Sequence, residues 1–336
     1  MKKLSKSCDV SVVVISYNTR KLTGECLRSV FAETRDVSFE VIVVDNASSD
    51  GSVAEITENC PQAKLVASSE NIGFARANNL AMQGAHGRYV LLLNPDTVVL
   101  NGAIDKLVRF ADSNPEYSIF GGRTLFPDGT LNPSCCWGKP TIWNTFCRAV
   151  GLSAAAPNSE FLNEDTYGGW QRDTVREVDL VSGCFLLMRR ELWEHLAGFD
   201  ASYFMYGEDW DLCLRAQAIG GRCLHCPDAE IVHYGGASEP VRADKLVRLF
   251  QTKVKLYRVH WGVVRSRILI LMLWVWALRC IVMDSVLGYM GNATRARSGR
   301  AWREVLGRRR EWTGDFVSDV PQDRDGAFGE RQVHDE

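Results

Sequence analysis

The sequence predicts an α/β protein built on a mostly parallel sheet with helices on both faces. Apolar, β-branched runs alternate with amphipathic helical patterns from residue 10 onward, which is the order that parallel strands and crossover helices require. The first strand-like runs also end in polar residues, and ligands of open α/β sheets bind beside the carboxyl ends of the strands. A chain of 336 residues is long enough to bury a large core.

The alternating elements follow one another in the first part of the chain. Strands are predicted over VSVVVISYN, FEVIVVD, KLVASS and RYVLLL. Helices are predicted over LTGECLRSVFAE, over SVAEITENC and within NIGFARANNLAMQGAHG. In the first helix, Leu22, Cys26, Leu27, Val30 and Phe31 form one apolar stripe at helical spacing.

The run LLLNPDTVVL allows two interpretations of Asn94-Pro95-Asp96. These three residue types form turns, so the segment can be a simple turn between two strands. Alternatively, Asp96 lies at the carboxyl end of a parallel strand and meets a ligand or a metal ion. Similar polar residues follow the neighbouring strands: Tyr17-Asn18, Asp45-Asn46 and Asn71. This repetition favours the second interpretation.

The middle of the chain is less regular. GGRTLFPDGTLNPS resembles a hairpin, and the following Trp- and Ala-bearing stretch has no assignable pattern. VDLVSGCFLLMRRELWEHLAGFD then predicts a strand and a helix, and YFMYGEDWDLCLRAQ predicts a loop and a helix that begins at Glu208-Asp209. Carboxylates in a first helical turn are ordinary capping residues, and Asp211 can pair with Arg215 one turn later. Capping does not explain why two adjacent acids follow an aromatic run.

Charge divides the chain into three units. Residues 1–240 carry 21 Lys and Arg against 30 Asp and Glu, whereas residues 241–310 carry 16 against three. Residues 311–336 carry two against eight. We predict a folded body over 1–240, a basic and apolar helical module over 241–298, and a polar tail over 299–336 that is disordered.

The basic module contains ILILMLWVWAL at 268–278, flanked by Arg265, Arg267 and Arg279. A spanning helix needs about 20 apolar residues, so this run is short. It is either a buried helix of the soluble fold or a helix at the membrane interface, and the positive charge suits the second better. The expected partner is an anionic membrane surface and not a nucleic acid, because apolar residues interleave with the basic ones.

The eleven cysteines are scattered through apolar runs without even spacing. We interpret them as small core residues in a reducing compartment. Cys223 and Cys226 form a CxxC, but no second ligand pair is evident, which disfavours a zinc site. The N-terminal MKKLSKSCDV has no signal-type apolar segment, which predicts that the body stays in the cytoplasm, peripheral on the inner face of the membrane.

Five motifs together resemble a known enzyme family. VVVISYN, VVDNASSDGS, NIGFARANN, LLLNPDT and MYGEDWDLCLR, followed by IVHYGGAS, are similar to those of family-2 glycosyltransferases with the Rossmann-like GT-A fold. They are most similar to rhamnosyltransferase-like members that act on bacterial surface glycans. The resemblance covers residues 10–240, and the joint order of the motifs is more specific than any one of them.

The resemblance implies a role for each matching residue. Asp209 corresponds to the catalytic base of inverting enzymes, and Glu208 and Trp210 to acceptor-binding positions. Asp96 corresponds to the last acid of an Asp-x-Asp-like motif that holds Mg²⁺ or Mn²⁺, and His233 completes this metal site in some members. This chain has Asn94 where the first acid is expected, which puts metal affinity in doubt. The residues implied in nucleotide-sugar binding are Tyr17, Asn18, Asp45, Asn46, Asn71, Gly73, Phe74, Arg76 and Asn79.

The function implied is metal-dependent, inverting transfer of a sugar, rhamnose being favoured, from a nucleotide-diphosphate donor such as dTDP-rhamnose or a UDP-sugar. The acceptor would be a glycan or a polyprenyl-linked glycan. Two other classes stay open: a noncatalytic sugar-nucleotide-binding or scaffold protein, which would lack the base or the metal acid, and a nucleotidyltransferase. The latter usually has a basic Gly-rich loop near its N-terminus, and TRKLTG is not one.

Overall fold

The computed structural model describes residues 8–235 and 242–314. Its strands are β1 (Val10–Ser16), β2 (Phe39–Asp45), β3 (Lys64–Ala67), β4 (Tyr89–Leu93), β5 (Thr97–Val99), β6 (Ile119–Leu125), β7 (Cys136–Trp137), β8 (Arg176–Val178), β9 (Leu180–Val181), β10 (Phe185–Arg189) and β11 (Cys223–His233). Its helices are α1 (Arg20–Glu33), α2 (Ser52–Asn59), α3 (Phe74–Met82), α4 (Ala103–Ser113), α5 (Ile142–Val150), α6 (Leu152–Ala155), α7 (Arg190–His195), α8 (Glu208–Ala218), α9 (Arg242–Tyr289), α10 (Ala293–Gly307) and α11 (Arg309–Thr313).

Nine strands form the main sheet, in the order β3-β2-β1-β4-β10-β6-β11-β5, with β8 paired to β11. The first four strands along this order are parallel, as is the β6–β11 pair. β10 is antiparallel to β4 and β6, and β5 and β8 are antiparallel to β11. The predicted α/β class with a mostly parallel sheet is confirmed.

Both faces of the sheet are covered because alternate side chains of each strand point to opposite faces. In β1, Val12 and Val14 belong to a core cluster that includes Leu27 of α1. Val13 and Ile15 belong to the cluster on the other face, which α3 and α8 cover. Burial on both faces explains why these strands read as continuous apolar runs.

The segment Asn94-Pro95-Asp96 is both a turn and a strand end. It connects β4 to β5, and the Thr97 hydroxyl donates to the Asn94 carbonyl at 2.7 Å. Because β4 is parallel to β1, the turn lies at the edge where the parallel strands end. The two interpretations of the sequence therefore describe the same turn.

The start of α8 is fixed by contact with α9. Gly207 adopts φ +85°, and a Cβ there would lie 2.0 Å from Thr252 Cγ2. The Thr252 hydroxyl donates to the Tyr206 carbonyl at 2.9 Å. In the next turn, Asp211 pairs with Arg215 as predicted and also with His260 Nε2 of α9 at 2.9 Å. The first part of α9 is thus packed on the body, although it follows the boundary predicted at residue 240.

The helices α9, α10 and α11 form a core cluster of their own with α5 nearby. The α9 helix is broken at Gly262, where φ is +84°, and Trp302 and Trp312 pack on its Phe250. The prediction of disorder over 299–336 is wrong for 299–314, because these two buried tryptophans hold the segment in helical form. The rest of that predicted tail, 315–336, lies outside the described residues.

All eleven cysteines are free, and nine of them are buried. Their interpretation as core residues is therefore confirmed for most of them, including the Cys223–Cys226 pair in β11. His225, between these two, lies instead near Cys135 and Cys136, with all three ligand atoms within 4.8 Å of one another. Three ligands are one fewer than closed structural zinc sites use.

Candidate active site

A cleft of about 720 Å³ opens where the parallel strands end. Ile15, Asn46 and Asp96 bring the ends of β1, β2 and β4 to its lining. β10 is antiparallel to β4, so the residues just before β10 reach the same edge, as does His233 at the end of β11. The start of α8 and one side of α9 close the cleft opposite the sheet.

Asp96 and His233 meet on this edge. The distance from His233 Nε2 to Asp96 Oδ1 is 3.4 Å, and Asn94 Nδ2 lies 3.4 Å from the same imidazole nitrogen. The backbone sets this approach, because Thr97 pairs with His233 in the β5–β11 ladder and the Tyr234 N–H donates to the Asp96 carbonyl at 3.0 Å. An oxygen ligand and a nitrogen ligand are therefore held together in the cleft.

The charge around His233 favours a cation. Burial works to lower the pKa of His233, but the Cys184 thiol and the Asp96 carboxylate beside it raise this pKa to about 10. A metal ion can take the place of the proton on a histidine nitrogen. Asp96 and His233 thus fit a divalent ion in ligand chemistry, with Asn94 as a neighbouring oxygen or nitrogen donor.

Glu208 and Asp209 point differently from the start of α8. The Asp209 Oδ2 accepts from the Gly183 N–H at 2.9 Å, and its Oδ1 accepts from the Trp210 N–H at 2.8 Å. Asp209 is half-buried and faces the cleft. Glu208 is 5% exposed, and its Oε2 has no hydrogen-bond partner within the described residues. Asp209 is therefore the oriented carboxylate of the pair.

The surroundings of Glu208 and Asp209 shift the pKa values of the two carboxyl groups differently. Burial raises the pKa of Glu208 to about 8, and the charges of Asp209 and Asp211 add to the shift. Burial also raises the pKa of Asp209, whereas the N–H groups of Gly183 and Trp210 oppose that shift. Burial therefore favours the protonated form of Glu208, whereas the two N–H donors favour the ionised form of Asp209.

The segment after β3 is joined to the end of β2 by side-chain amides. Asn46 Nδ2 donates to Asn71 Oδ1 at 2.8 Å, and Asn46 Oδ1 accepts from the Ile72 N–H at 2.9 Å. Tyr17 and Phe74 line the cleft with these two residues. Four of the nine residues implied in nucleotide-sugar binding are thus brought together.

The other five do not line the cleft. Asn18 and Asn79 fix loops, since Asn18 Oδ1 accepts from the Ser49 N–H and Asn79 holds both backbone groups of Phe199. Gly73 packs beneath the Phe204 carbonyl, where a Cβ would lie 2.7 Å away. Arg76 is exposed and donates to the Ala201 carbonyl. Asp45 is 1% exposed, with Oδ2 lacking a partner within the described residues.

Several cleft residues are not singled out by the sequence. Trp137 lines the cleft 6.2 Å, centroid to centroid, from Trp210, which lines it too. Lys253 and Trp276 of α9 line the same cleft. No local motif marks them, because Trp137 lies in the stretch without a pattern and α9 follows the motifs.

Comparison with known proteins identifies the family. The model of glycosyl transferase family 2 matches residues 11–196. An N-acetylglucosaminyl-diphospho-decaprenol L-rhamnosyltransferase of Mycobacterium tuberculosis is 30% identical over 235 residues, covering 66% of this chain and 75% of the relative. The rhamnosyltransferase WbbL of Escherichia coli is 27% identical over 234 residues, covering 67% of this chain and 83% of the relative.

Solved structures agree on the fold. A mannosyltransferase from Pyrobaculum calidifontis, solved in complex with GDP-Man and Mn²⁺, has a TM-score of 0.56 at 18% identity and covers 91% of this chain and 87% of its own. Residues 1–349 of S. aureus TarS give a TM-score of 0.51 at 16% identity, and the match covers 91% of this chain and 81% of the TarS chain. At these identities the likeness concerns the fold, and it agrees with the expected GT-A architecture.

Proposed function

The chain belongs to glycosyl transferase family 2, and from this premise we propose that it is a metal-dependent, inverting hexosyltransferase. Its donor is a nucleotide-diphosphate sugar, with rhamnose favoured, and its acceptor is a glycan or lipid-linked glycan of a surface polysaccharide. The observation that carries the proposal is that Asp96, His233 and Asp209 open onto one cleft at the end of the parallel strands.

The choice of donor rests on the relatives and on the amide cluster. Two of the matched relatives are named rhamnosyltransferases, which favours dTDP-rhamnose over a UDP-sugar. Asn46 and Asn71 fix the loop beside Tyr17, an aromatic ring that a nucleotide base can stack on. The nucleotide therefore lies at the β1–β2 end of the cleft, with its phosphates toward Asp96.

The metal ligands are Asp96 and His233. A bound Mg²⁺ or Mn²⁺ supplies positive charge that stabilises the leaving nucleotide diphosphate. A fold neighbour was solved with GDP-Man and Mn²⁺, which supports such an ion. Asn94 in place of a second acid leaves the protein with less negative charge for holding such an ion.

Asp209 is the catalytic base. Its carboxylate accepts the proton of the acceptor hydroxyl while that oxygen attacks the anomeric carbon opposite the departing diphosphate, which inverts the anomeric configuration. The N–H groups of Gly183 and Trp210 hold both carboxylate oxygens, so the base is oriented before the acceptor arrives. Trp210 and the protonated Glu208 shape the acceptor side.

The alternative functions differ in what they need. A noncatalytic scaffold would not need a carboxylate that two backbone N–H groups orient in the cleft, as they do Asp209. A nucleotidyltransferase attacks a phosphorus atom and does not need a base positioned at a sugar carbon. The family membership and the oriented Asp209 favour sugar transfer over both.

We expect the wild-type chain to hydrolyse or transfer dTDP-rhamnose in the presence of Mn²⁺ faster than other nucleotide sugars. The measurement is release of nucleotide diphosphate across a panel of donors, with Mn²⁺ and with chelator. Release of the nucleotide monophosphate or of pyrophosphate would instead indicate phosphorus chemistry. If chelator left turnover unchanged, the proposed metal dependence would be contradicted. If the chain turned over none of the donors, the proposed glycosyltransferase activity would be contradicted.

The second part of α9 has an exposed face that suits a membrane surface. The helix is long and apolar enough to cross a membrane, and only 22% of its most apolar 18-residue segment is buried inside the protein. One face packs inside the protein through Leu269, Leu273 and Ala277. The opposite face is exposed and is called here the apolar stripe: Val264, Ile268, Leu271, Val275, Leu278, Val282, Val286 and Tyr289.

The spacing of the apolar stripe, three or four residues throughout, places it along one side of the helix. Exposed apolar patches of this kind mark interaction sites, and the 16 basic residues of 241–310 provide attraction to anionic lipids. We propose that the enzyme is cytoplasmic and binds the inner face of the membrane through this stripe, where a lipid-linked acceptor would be present.

We expect the full chain to sediment with anionic vesicles and to be released only in part by high salt, because salt screens charge but not apolar burial. The double variant Leu271→Glu, Val282→Glu should lose the salt-resistant fraction. Ile219→Glu, an exposed apolar position at the end of α8, is the matched control. Equal sedimentation of the stripe variant and the control would contradict the proposed contact. A truncation at residue 240 is a poor test, because it removes Leu256 from the core of the body.

A further inference from the structure

The end of the cleft away from the nucleotide combines aromatic rings with basic side chains. Trp137, Trp210 and Trp276 line the cleft together with Arg148, Lys245 and Lys253, and both Trp137 and Lys253 lie beside the Trp210 ring. Aromatic rings at such a site offer flat surfaces on which sugar rings stack. The basic groups need a different explanation, because a neutral sugar does not require three cations.

Lys253 is the central member of this group. Its Nζ lies 5.1 Å from the centroid of the Trp210 ring, and within the described ranges it forms no ion pair. Burial lowers the pKa of Lys253 to about 8; Asp165 opposes this shift and Arg148 adds to it. Lys253 is half-buried in the cleft wall, and an ammonium that is partly desolvated without a partner costs free energy, which an incoming anion would recover.

The neighbouring acid does not neutralise the group. Asp165 Oδ2 accepts from Arg148 Nε at 2.8 Å, so this carboxylate is already paired. Lys245 lies 5.9 Å above the Tyr206 ring, and the part of the chain that the structure describes offers it no ion pair. Lys245 and Lys253 are thus the cations of the cleft lining that have no ion-pair partner within the described residues.

The place of the group in the fold indicates where the anion comes from. Lys245 and Lys253 lie on the first part of α9, and Trp276 lies on the second part, between Val275 and Leu278 of the apolar stripe. A ligand that reaches the membrane from the cleft would pass this point. The negatively charged group of a lipid-linked sugar is the phosphate between its sugar and its lipid.

We propose that Lys253, Lys245 and Arg148 form a binding site for the phosphate or diphosphate group of a lipid-linked acceptor. The acceptor sugar lies between Trp137 and Trp210, within reach of Asp209, and the lipid leaves the cleft along α9. This inference rests on the proposed glycosyltransferase function and adds to it the residues that bind the charged group of the acceptor.

The test is binding of a short-chain alkyl diphosphate, measured by calorimetry in chelator so that the metal site contributes nothing. Lys253→Met removes the charge and keeps the stem that packs on Trp210. We expect this variant to bind at least about tenfold more weakly than wild type, since charge-assisted hydrogen bonds to phosphate are among the strong ones, and Lys253→Arg to recover most of the affinity. Lys255→Met is the matched control, because Lys255 lies on the same helix, contacts Ser202 and does not line the cleft.

A second arm compares two acceptors with the same sugar and alkyl chain, one a glycosyl diphosphate and the other a neutral glycoside. Lys253→Met should raise KM for the diphosphate acceptor about tenfold or more and leave KM for the neutral one near the wild-type value. The proposal is overturned if Lys253→Met changes KM equally for both acceptors. It is also overturned if the wild type does not bind the alkyl diphosphate, or if Lys253→Met leaves that binding unchanged. Donor turnover by the wild type reports on the enzyme itself, so a failure of the proposed function is seen separately from a failure of this site.

Discussion

Replacement of Asp96 by Ala is expected to reduce divalent-dependent sugar transfer by at least about 10³-fold, because a metal ion contributes several kcal/mol to stabilising the charge of a leaving group. The variant removes the carboxylate that lies 3.4 Å from His233 Nε2 in the cleft. His233 alone is a poor site for a hard cation. The fold should persist, because the pairing of β4 with β1 and of β5 with β11 uses backbone groups.

The measurement is transfer rate against Mn²⁺ concentration, with circular dichroism to confirm folding. Asp128→Ala is a suitable control, since Asp128 lies in the exposed turn after β6 and its side chain bonds only within that turn. We expect the control to titrate with Mn²⁺ like the wild type. Wild-type turnover in Asp96→Ala would contradict the proposed metal role of Asp96.

The strand ends were predictable from the sequence because the rule behind them is local. A buried parallel strand requires an apolar run, and polar residues that follow it must lie at the carboxyl edge of the sheet. Asn46, Asn71 and Asp96 reach the cleft for this reason. The same rule does not tell which way a side chain turns, and Asp45, one residue before Asn46, is buried beside Ser48 instead.

The acceptor end of the cleft was not predictable in this way. Apart from Glu208 and Trp210 of α8, its residues come from α5, β7 and α9, whose contacts join distant parts of the chain and leave no spacing to recognise. Asp211 shows the difference: its pairing with Arg215 follows from one helical turn, whereas its bond to His260 joins residues 49 apart. The helical tail was missed because composition indicated a polar segment, while two tryptophans, Trp302 and Trp312, are enough to anchor it.

Asp209→Asn is expected to lower turnover by at least about 10²-fold, the usual scale for loss of a general base. The amide keeps the size of the carboxylate and can still accept one of its two backbone hydrogen bonds, but it cannot take the proton of the acceptor hydroxyl. Donor affinity, measured by calorimetry, should stay near that of the wild type. A collapse of donor affinity with normal turnover at saturation would make Asp209 a binding residue.

The adjacent Glu208 provides a control that differs from Asp209 in its protonation. Burial raises its pKa to about 8, so at neutral pH it is a neutral acid, and Glu208→Gln replaces it with a neutral group of similar shape. We expect Glu208→Gln to keep most of the activity at pH 7. The two enzymes should differ only as the pH rises through about 8, where wild-type Glu208 ionises beside Asp209 and the variant cannot. In both, activity should fall as the pH is lowered through the raised pKa of Asp209, since a base must be ionised to accept a proton. If Glu208→Gln lost 10²-fold at pH 7 and Asp209→Asn did not, Glu208 would be the base.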